Sequence, residues 1–191
     1  MGIYGAIITF GDSLTVGARD EYRLSYPTEL AKLLTKKNDG QLWTTVQYAI
    51  SGETTADMLK RAYKEVNNHP GVKELIFIAG TNDAKENISS EMFSENYNAL
   101  IDIFKILGKR IYVGTLPLKK GFGSPGYENS LNCKIKIYNN FIRYISEERG
   151  LNLFELENLE EEYFIDGIHF NHKGNLKVAN IVYKKIIDIR G

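Results

Sequence analysis

The stretch Ile3-Tyr4-Gly5-Ala6-Ile7-Ile8-Thr9-Phe10 runs straight into Gly11-Asp12-Ser13-Leu14. A short apolar run with β-branched and aromatic residues that stops at a glycine reads as a first strand entering a tight turn. Working outward, the same unit recurs along the chain. Strands are expected at residues 3–10, 42–50, 74–79, 110–115 and 151–154. Helices are expected at 26–37, 55–67, 91–107, 128–149 and 172–189. Such alternation implies an α/β fold with a parallel sheet covered by helices on both faces. The helices rest on spacing: Tyr26, Leu30, Leu33 and Leu34 share one face, as do Leu176, Ala179, Tyr183, Ile186 and Ile187. These stripes are core. Ser89 or Ser90 is placed to cap the third helix and Asn171 the last.

The 191 residues suffice to bury one core, so a single domain spanning residues 1–191 is expected. Lysine plus arginine and aspartate plus glutamate each total 24. With no net field and no basic cluster carrying interleaved aromatics, nucleic acid is not an expected partner; a small molecule is. Cys133 is the single cysteine, which excludes an intramolecular disulfide. The N-terminus has no basic segment before its apolar run, and no run approaches the roughly 20 apolar residues of a spanning helix. A cytoplasmic protein without membrane insertion is expected, or a secreted one whose leader has been removed. No repeat or linker interrupts the chain, and the loop over residues 117–126 reads as a rim beside a site.

Ligands of open parallel sheets bind beyond the carboxyl ends of the strands. Gly11-Asp12-Ser13-Leu14, Ser51-Gly52-Glu53-Thr54 and Gly80-Thr81-Asn82-Asp83 follow the first three strands, and Asp166-Gly167-Ile168-His169 precedes the last helix. Acyl transfer requires a nucleophile, a base, a group that holds the base, and donors for the oxyanion. Ser13 supplies the first. Asp166 and His169, three apart, allow the carboxylate to reach one imidazole nitrogen while the other faces Ser13. The Gly52 N–H and the Asn82 amide are candidate oxyanion donors. Asp12 and Asp83 are expected to support the site loops through hydrogen bonds to backbone N–H groups.

Together these four blocks resemble those of the SGNH (Gly-Asp-Ser-Leu) hydrolases, in the same order, from residue 11 to residue 169. The resemblance implies a three-layer, flavodoxin-like α/β/α sandwich around about five parallel strands. It also implies a cofactor-free esterase with Ser13, Asp166 and His169 as triad, and with the Ser13 N–H, Gly52 and Asn82 as oxyanion hole. Two departures stand out. Ile50-Ser51 precede Gly52 where the family often has an asparagine, and Gly11 to Thr15 lacks the second glycine of the Gly-x-Ser-x-Gly elbow. The expected substrate is a carboxylic ester with a short acyl group such as acetyl, carried on a carbohydrate. The alternatives are a lysophospholipase, a thioesterase or an O-acyltransferase using the same triad, a metal-dependent hydrolase on Asp166, His169 and His172, and a non-catalytic binding module. Leu14, Leu116, Phe122, Tyr127, Phe164, Ile168 and Phe170 are the candidate pocket residues.

Overall fold

A computed structural model describes residues 4–22, 24–37 and 41–190. Five strands, β1 (Tyr4–Gly11), β2 (Leu42–Ala49), β3 (Glu74–Ile78), β4 (Arg110–Gly114) and β5 (Asn152–Phe154), form one sheet in the order β2-β1-β3-β4-β5. All four pairings are parallel. Ile3, the first residue of the expected β1, lies outside the described residues. The fold is the expected three-layer α/β/α sandwich. β3 at its centre is buried along its whole length, as its apolar run requires, whereas the edge strand β2 is only half covered.

The main helices are α2 (Tyr26–Lys37), α3 (Thr55–Asn67), α5 (Ser90–Ile106), α6 (Pro125–Glu148) and α7 (His172–Arg190), with two short ones, α1 (Ser13–Val16) and α4 (Thr81–Lys85). The connection β1 to β2 crosses the sheet in one direction, and those from β2 to β3, β3 to β4 and β4 to β5 in the other. Right-handed crossovers therefore put α2 on one face and α3, α5 and α6 on the opposite face. α7 packs beside α2, while α3, α5 and α6 form a row. The direction reverses between β1 and β3, so a crevice opens at their carboxyl ends.

Caps explain most helix starts. Ser89 accepts from Met92 N and opens α5, and Thr54 with Asp57 forms a capping box on α3. Ser124 accepts from Tyr127 N with Pro125 following, so α6 begins three residues earlier than its apolar periodicity indicates. Asn171 Oδ1 accepts from Gly174 N, 2.9 Å away, at the start of α7. α1 and α4 are too short to carry a periodicity and are absent from the sequence expectation.

Between the sheet and the α3–α5–α6 row lies an aromatic core. Phe77 sits among Phe10, Tyr97 and Phe104, with ring centroids 4.9–6.3 Å apart, and Phe93 stacks on Tyr138 at 3.8 Å. Each such side chain contributes roughly 1.5–3 kcal/mol by leaving water.

The loop after β4 is held differently. Asn139 of α6 is fully buried; its Oδ1 accepts from Leu116 N at 2.7 Å and its Nδ2 donates to Leu116 O at 2.8 Å. Two helical turns earlier, Asn132 treats Lys119 in the same way, at 2.7 and 2.8 Å. Two amides thus do for this loop what a neighbouring strand would do. Asn139→Ala strands both backbone groups of Leu116, and a loss of about 2–4 kcal/mol is expected. Urea unfolding should show a lower midpoint at unchanged m-value.

Candidate active site

The register levels the ends of three strands: Gly11 pairs with Ala49 of β2 and with Ile78 of β3. A Cβ on Gly11 would lie 2.5 Å from both the Ile78 carbonyl oxygen and Thr15 Oγ1. Gly11 is not among the residues with positive φ, so the glycine is required by close approach of β3 rather than by a tight turn. Asp12 then caps α1, its Oδ1 accepting from Leu14 N at 2.9 Å. Ser13 is the first residue of that helix. Its N–H therefore has no acceptor within the helix.

The turn before α7 carries the second cluster. Asp166 Oδ1 accepts from Ile168 N at 3.0 Å and His169 N at 2.8 Å, which folds the four residues into an Asx-type turn. Gly167 adopts φ 78°, and a Cβ there would come within 2.5 Å of the Lys120 carbonyl oxygen. The other carboxylate oxygen, Oδ2, lies 2.8 Å from His169 Nδ1, and His169 Nε2 lies 3.1 Å from Ser13 Oγ. Burial pushes the Asp166 carboxyl upward, but hydrogen bonds from the His169 N–H, its imidazole and the Ile168 N–H outweigh that and hold its pKa below the usual value. Arg19, largely exposed and at φ 67°, adds a cation 3.2 Å from Asp166 Oδ2. An arginine in a left-handed conformation after a short helix leaves no signature in sequence.

The two loops that follow β2 and β3 meet each other. Gly52 has φ 88° and Glu53 N donates to Ile50 O at 3.4 Å, so residues 50–53 fit a type II turn with glycine at the required position. The turn needs no asparagine, which accounts for Ile50-Ser51 there. Asn82, 7% exposed, donates one amide proton to Glu53 O at 2.9 Å. That bond fixes the amide plane and engages one of its two protons. Glu53 is also gripped through its side chain, because Arg61 Nε donates to both carboxylate oxygens at 2.8 and 3.0 Å. The Arg61 guanidinium lies 4.4 Å from the centre of the Phe10 ring, so this cation braces the underside of the site.

Asp83 accepts from Thr55 N and from Thr55 Oγ1, the latter at 2.5 Å, and ties α4 to the start of α3. Its carboxyl is pushed up by burial, partly offset by those bonds. Asp12 is more extreme: fully buried, it is raised to about 6 by desolvation, against the Leu14 N–H and the charge of Lys119.

Most candidate pocket residues lie in the interior. Leu14, Leu116, Phe164, Ile168 and Phe170 are buried, and Phe164 and Phe170 face each other across a β-bridge with rings 5.6 Å apart. Apolar periodicity cannot separate an apolar site wall from core, and here the core claims them. Phe122 and Tyr127 remain at the surface, with rings 5.9 Å apart and Phe122 against Gly167. His172 packs edge-on against Tyr22 at 4.9 Å. Among the described residues no group of three or more His, Cys, Asp and Glu side chains is placed to hold a metal ion, so the Asp166–His169–His172 set has no support. No helix of the described residues is long and apolar enough to cross a membrane.

The model of the GDSL-like lipase/acylhydrolase family matches residues 9–177. No curated protein sequence matches the chain. Among solved structures, a lipase/acylhydrolase from Enterococcus faecalis superposes with a TM-score of 0.81 at 23% identity, covering 95% of both chains. A carbohydrate acetylesterase from Sinorhizobium meliloti gives 0.80 at 18% identity, covering 97% of this chain and 99% of the other. An acetylxylan esterase from Geobacillus stearothermophilus gives 0.77 at 17%, covering 97% and 96%. At these identities the likeness is one of fold.

Two outcomes follow from the geometry. On the oxyanion role expected of Asn82, Asn82→Ala should lower kcat by about 10²–10³ with KM little changed in steady-state assays. The depressed Asp166 stabilises the fold fully above the ordinary carboxylate pKa of 3.8, and this is lost as pH falls through its lower folded value. The Tm of Asp166→Asn should therefore lie below wild type at neutral pH and converge with it in strong acid.

Proposed function

Because the chain belongs to the GDSL-like lipase/acylhydrolase family, and is thus a carboxylic ester hydrolase, we propose that it removes a short acyl group, such as acetyl, from a carbohydrate through an acyl-Ser13 intermediate. The observation that carries the reading is the unbroken chain from Asp166 through His169 to Ser13 Oγ, at 2.8 and 3.1 Å.

His169 Nε2 accepts the Ser13 proton as Oγ attacks the ester carbonyl, and Asp166 holds the ring and offsets the charge of the imidazolium that forms. The carbonyl oxygen becomes an oxyanion facing the Ser13 N–H, the Gly52 N–H and the second Asn82 amide proton. These donors are fixed before substrate arrives, so no reorganisation is needed as charge develops. Collapse expels the alkoxide, which takes its proton from His169. Water then repeats the sequence against the acyl-serine, with His169 again as base, and releases the acid.

Support for a short acyl group is the loss of Leu14, Leu116, Ile168 and Phe170 to the interior, which leaves few apolar side chains for a long chain to cover. Support for a carbohydrate is twofold. Two of the similar structures are esterases acting on acetylated carbohydrate, and Tyr127 presents an exposed ring near the Asp166–His169 turn through its contact with Phe122.

A fluorophosphonate should add one adduct to the intact mass, and Ser13→Ala should abolish it; an unlabelled wild type refutes the acyl-serine route. On p-nitrophenyl esters, kcat/KM should be highest for acetate and fall steeply by octanoate. A rise toward palmitate would replace the acetyl assignment with a long-chain lipase.

A further inference from the structure

Lys119 is fully buried, and no hydrogen-bond partner takes its Nζ. Asp12, immediately before the nucleophile, is equally buried, and its Oδ2 is likewise without a partner. An isolated buried ammonium and an isolated buried carboxylate oxygen are both costly, and neither persists in a fold without compensation. The Asn132 clamp fixes the Lys119 main chain, while Lys120 N donates to Gly167 O at 3.4 Å and seats the segment against the Asp166–His169 turn.

We infer that Lys119 is the internal counter-ion of Asp12, a positioning residue that acts through that carboxylate to offset its charge while the oxyanion forms on the ester bound at Ser13. The inference rests on the acyl-serine reading above. Asp12 precedes the nucleophile in the chain, Asp166 reaches it through His169, and the charge of Asp83 is felt at Asp12. The reaction adds a further negative charge a few bonds from Asp12. In a water-poor site that charge is repelled by Asp12 unless a cation stands by. The charged groups whose fields reach Lys119 are Asp12 from the start of α1, Asp166 from the turn before α7, and Lys85 from the end of α4, none of them in hydrogen-bond contact with its Nζ. Burial lowers the Lys119 pKa to about 8, although both carboxylates favour its charged form.

The oxyanion exists only in the transition state, so the effect belongs to kcat. Lys119→Met and Lys119→Gln should lower kcat by about tenfold at neutral pH with KM within about twofold of wild type. In the wild type, kcat should fall as pH rises through about 8, toward the level of the Met variant, which should be flat there. Asp12→Asn keeps an oxygen for Leu14 N while removing the charge. Added to Lys119→Met, it should restore most of kcat per fluorophosphonate-labelled serine, a measure that recovered folding alone does not move.

Kinetics on p-nitrophenyl acetate, alongside fluorophosphonate labelling of each protein, test this. Wild-type kcat in both variants, or a double variant slower than Lys119→Met, overturns the inference while normal labelling leaves the acyl-serine reading standing. Absent labelling of the wild type overturns both. Should neither variant fold, the wild-type profile decides: a kcat that stays flat through the alkaline limb refutes the role.

Discussion

One proton of the Asn82 amide is held by the carbonyl of Glu53, 2.9 Å away, and the geometry of the whole crevice depends on that bond. An asparagine at the end of a strand can rotate freely about two torsions. Once one N–H is engaged, the direction of the other is fixed. Because the acceptor is a backbone carbonyl of the next loop, the same bond sets the spacing between the end of β3 and the Gly52 turn. Glu53 in turn is held by Arg61, and Arg61 rests on Phe10, so the Asn82 amide and the Gly52 turn are referred back to the core of the sheet. Preorganisation here is a short series of contacts, each of which removes one rotational freedom.

Parallel register is the second constraint. Gly11, Ala49 and Ile78 stand level, so three loops arrive at one edge within reach of each other. The price is the approach of Ile78 O to Gly11, which no side chain at position 11 would allow. The fourth contribution, Asp166 to His169, comes from the far end of the chain and is positioned by its own carboxylate folding the turn on which it sits. Ser13 and His169 are thus set by independent pieces of backbone, and the 3.1 Å between them depends on packing of α7 against α2. Asn175 contributes there by accepting from Tyr26 N at 3.0 Å.

Much of this was legible in the residues. The alternation of apolar runs and helical stripes is set by burial, and it located every strand and every long helix to within a few residues. Ser13, Asp166 and His169 were legible as a cluster because acyl chemistry calls for those groups at strand ends, and the structure brings them to hydrogen-bonding distance. What sequence hid is the work of groups whose partners are distant. Lys119 and Arg61 look like solvated charges, since nothing local shows that a loop lysine is buried or that an arginine reaches the end of β1. Ser124 lies outside the apolar period it starts. Leu116 and Phe170 were legible as apolar but not as core, since the side of the sheet a loop residue turns toward is decided by the chain folding over it.

Asn132 and Asn139 hold Lys119 and Leu116 by their main chains, with Asn139 also donating to Glu157 Oε2 at 3.1 Å. A clamp that reads peptide groups is indifferent to the side chains it carries. Leu118 and Lys120, half-buried and joined to their neighbours through main-chain bonds, can therefore change without unseating the loop, whereas Gly121 and Gly123, both at φ 73°, are held to glycine by conformation. This gives a lineage a wall beside the crevice that is rigid in course and open in composition, a place where specificity can drift while the hydrolytic centre stays in tune.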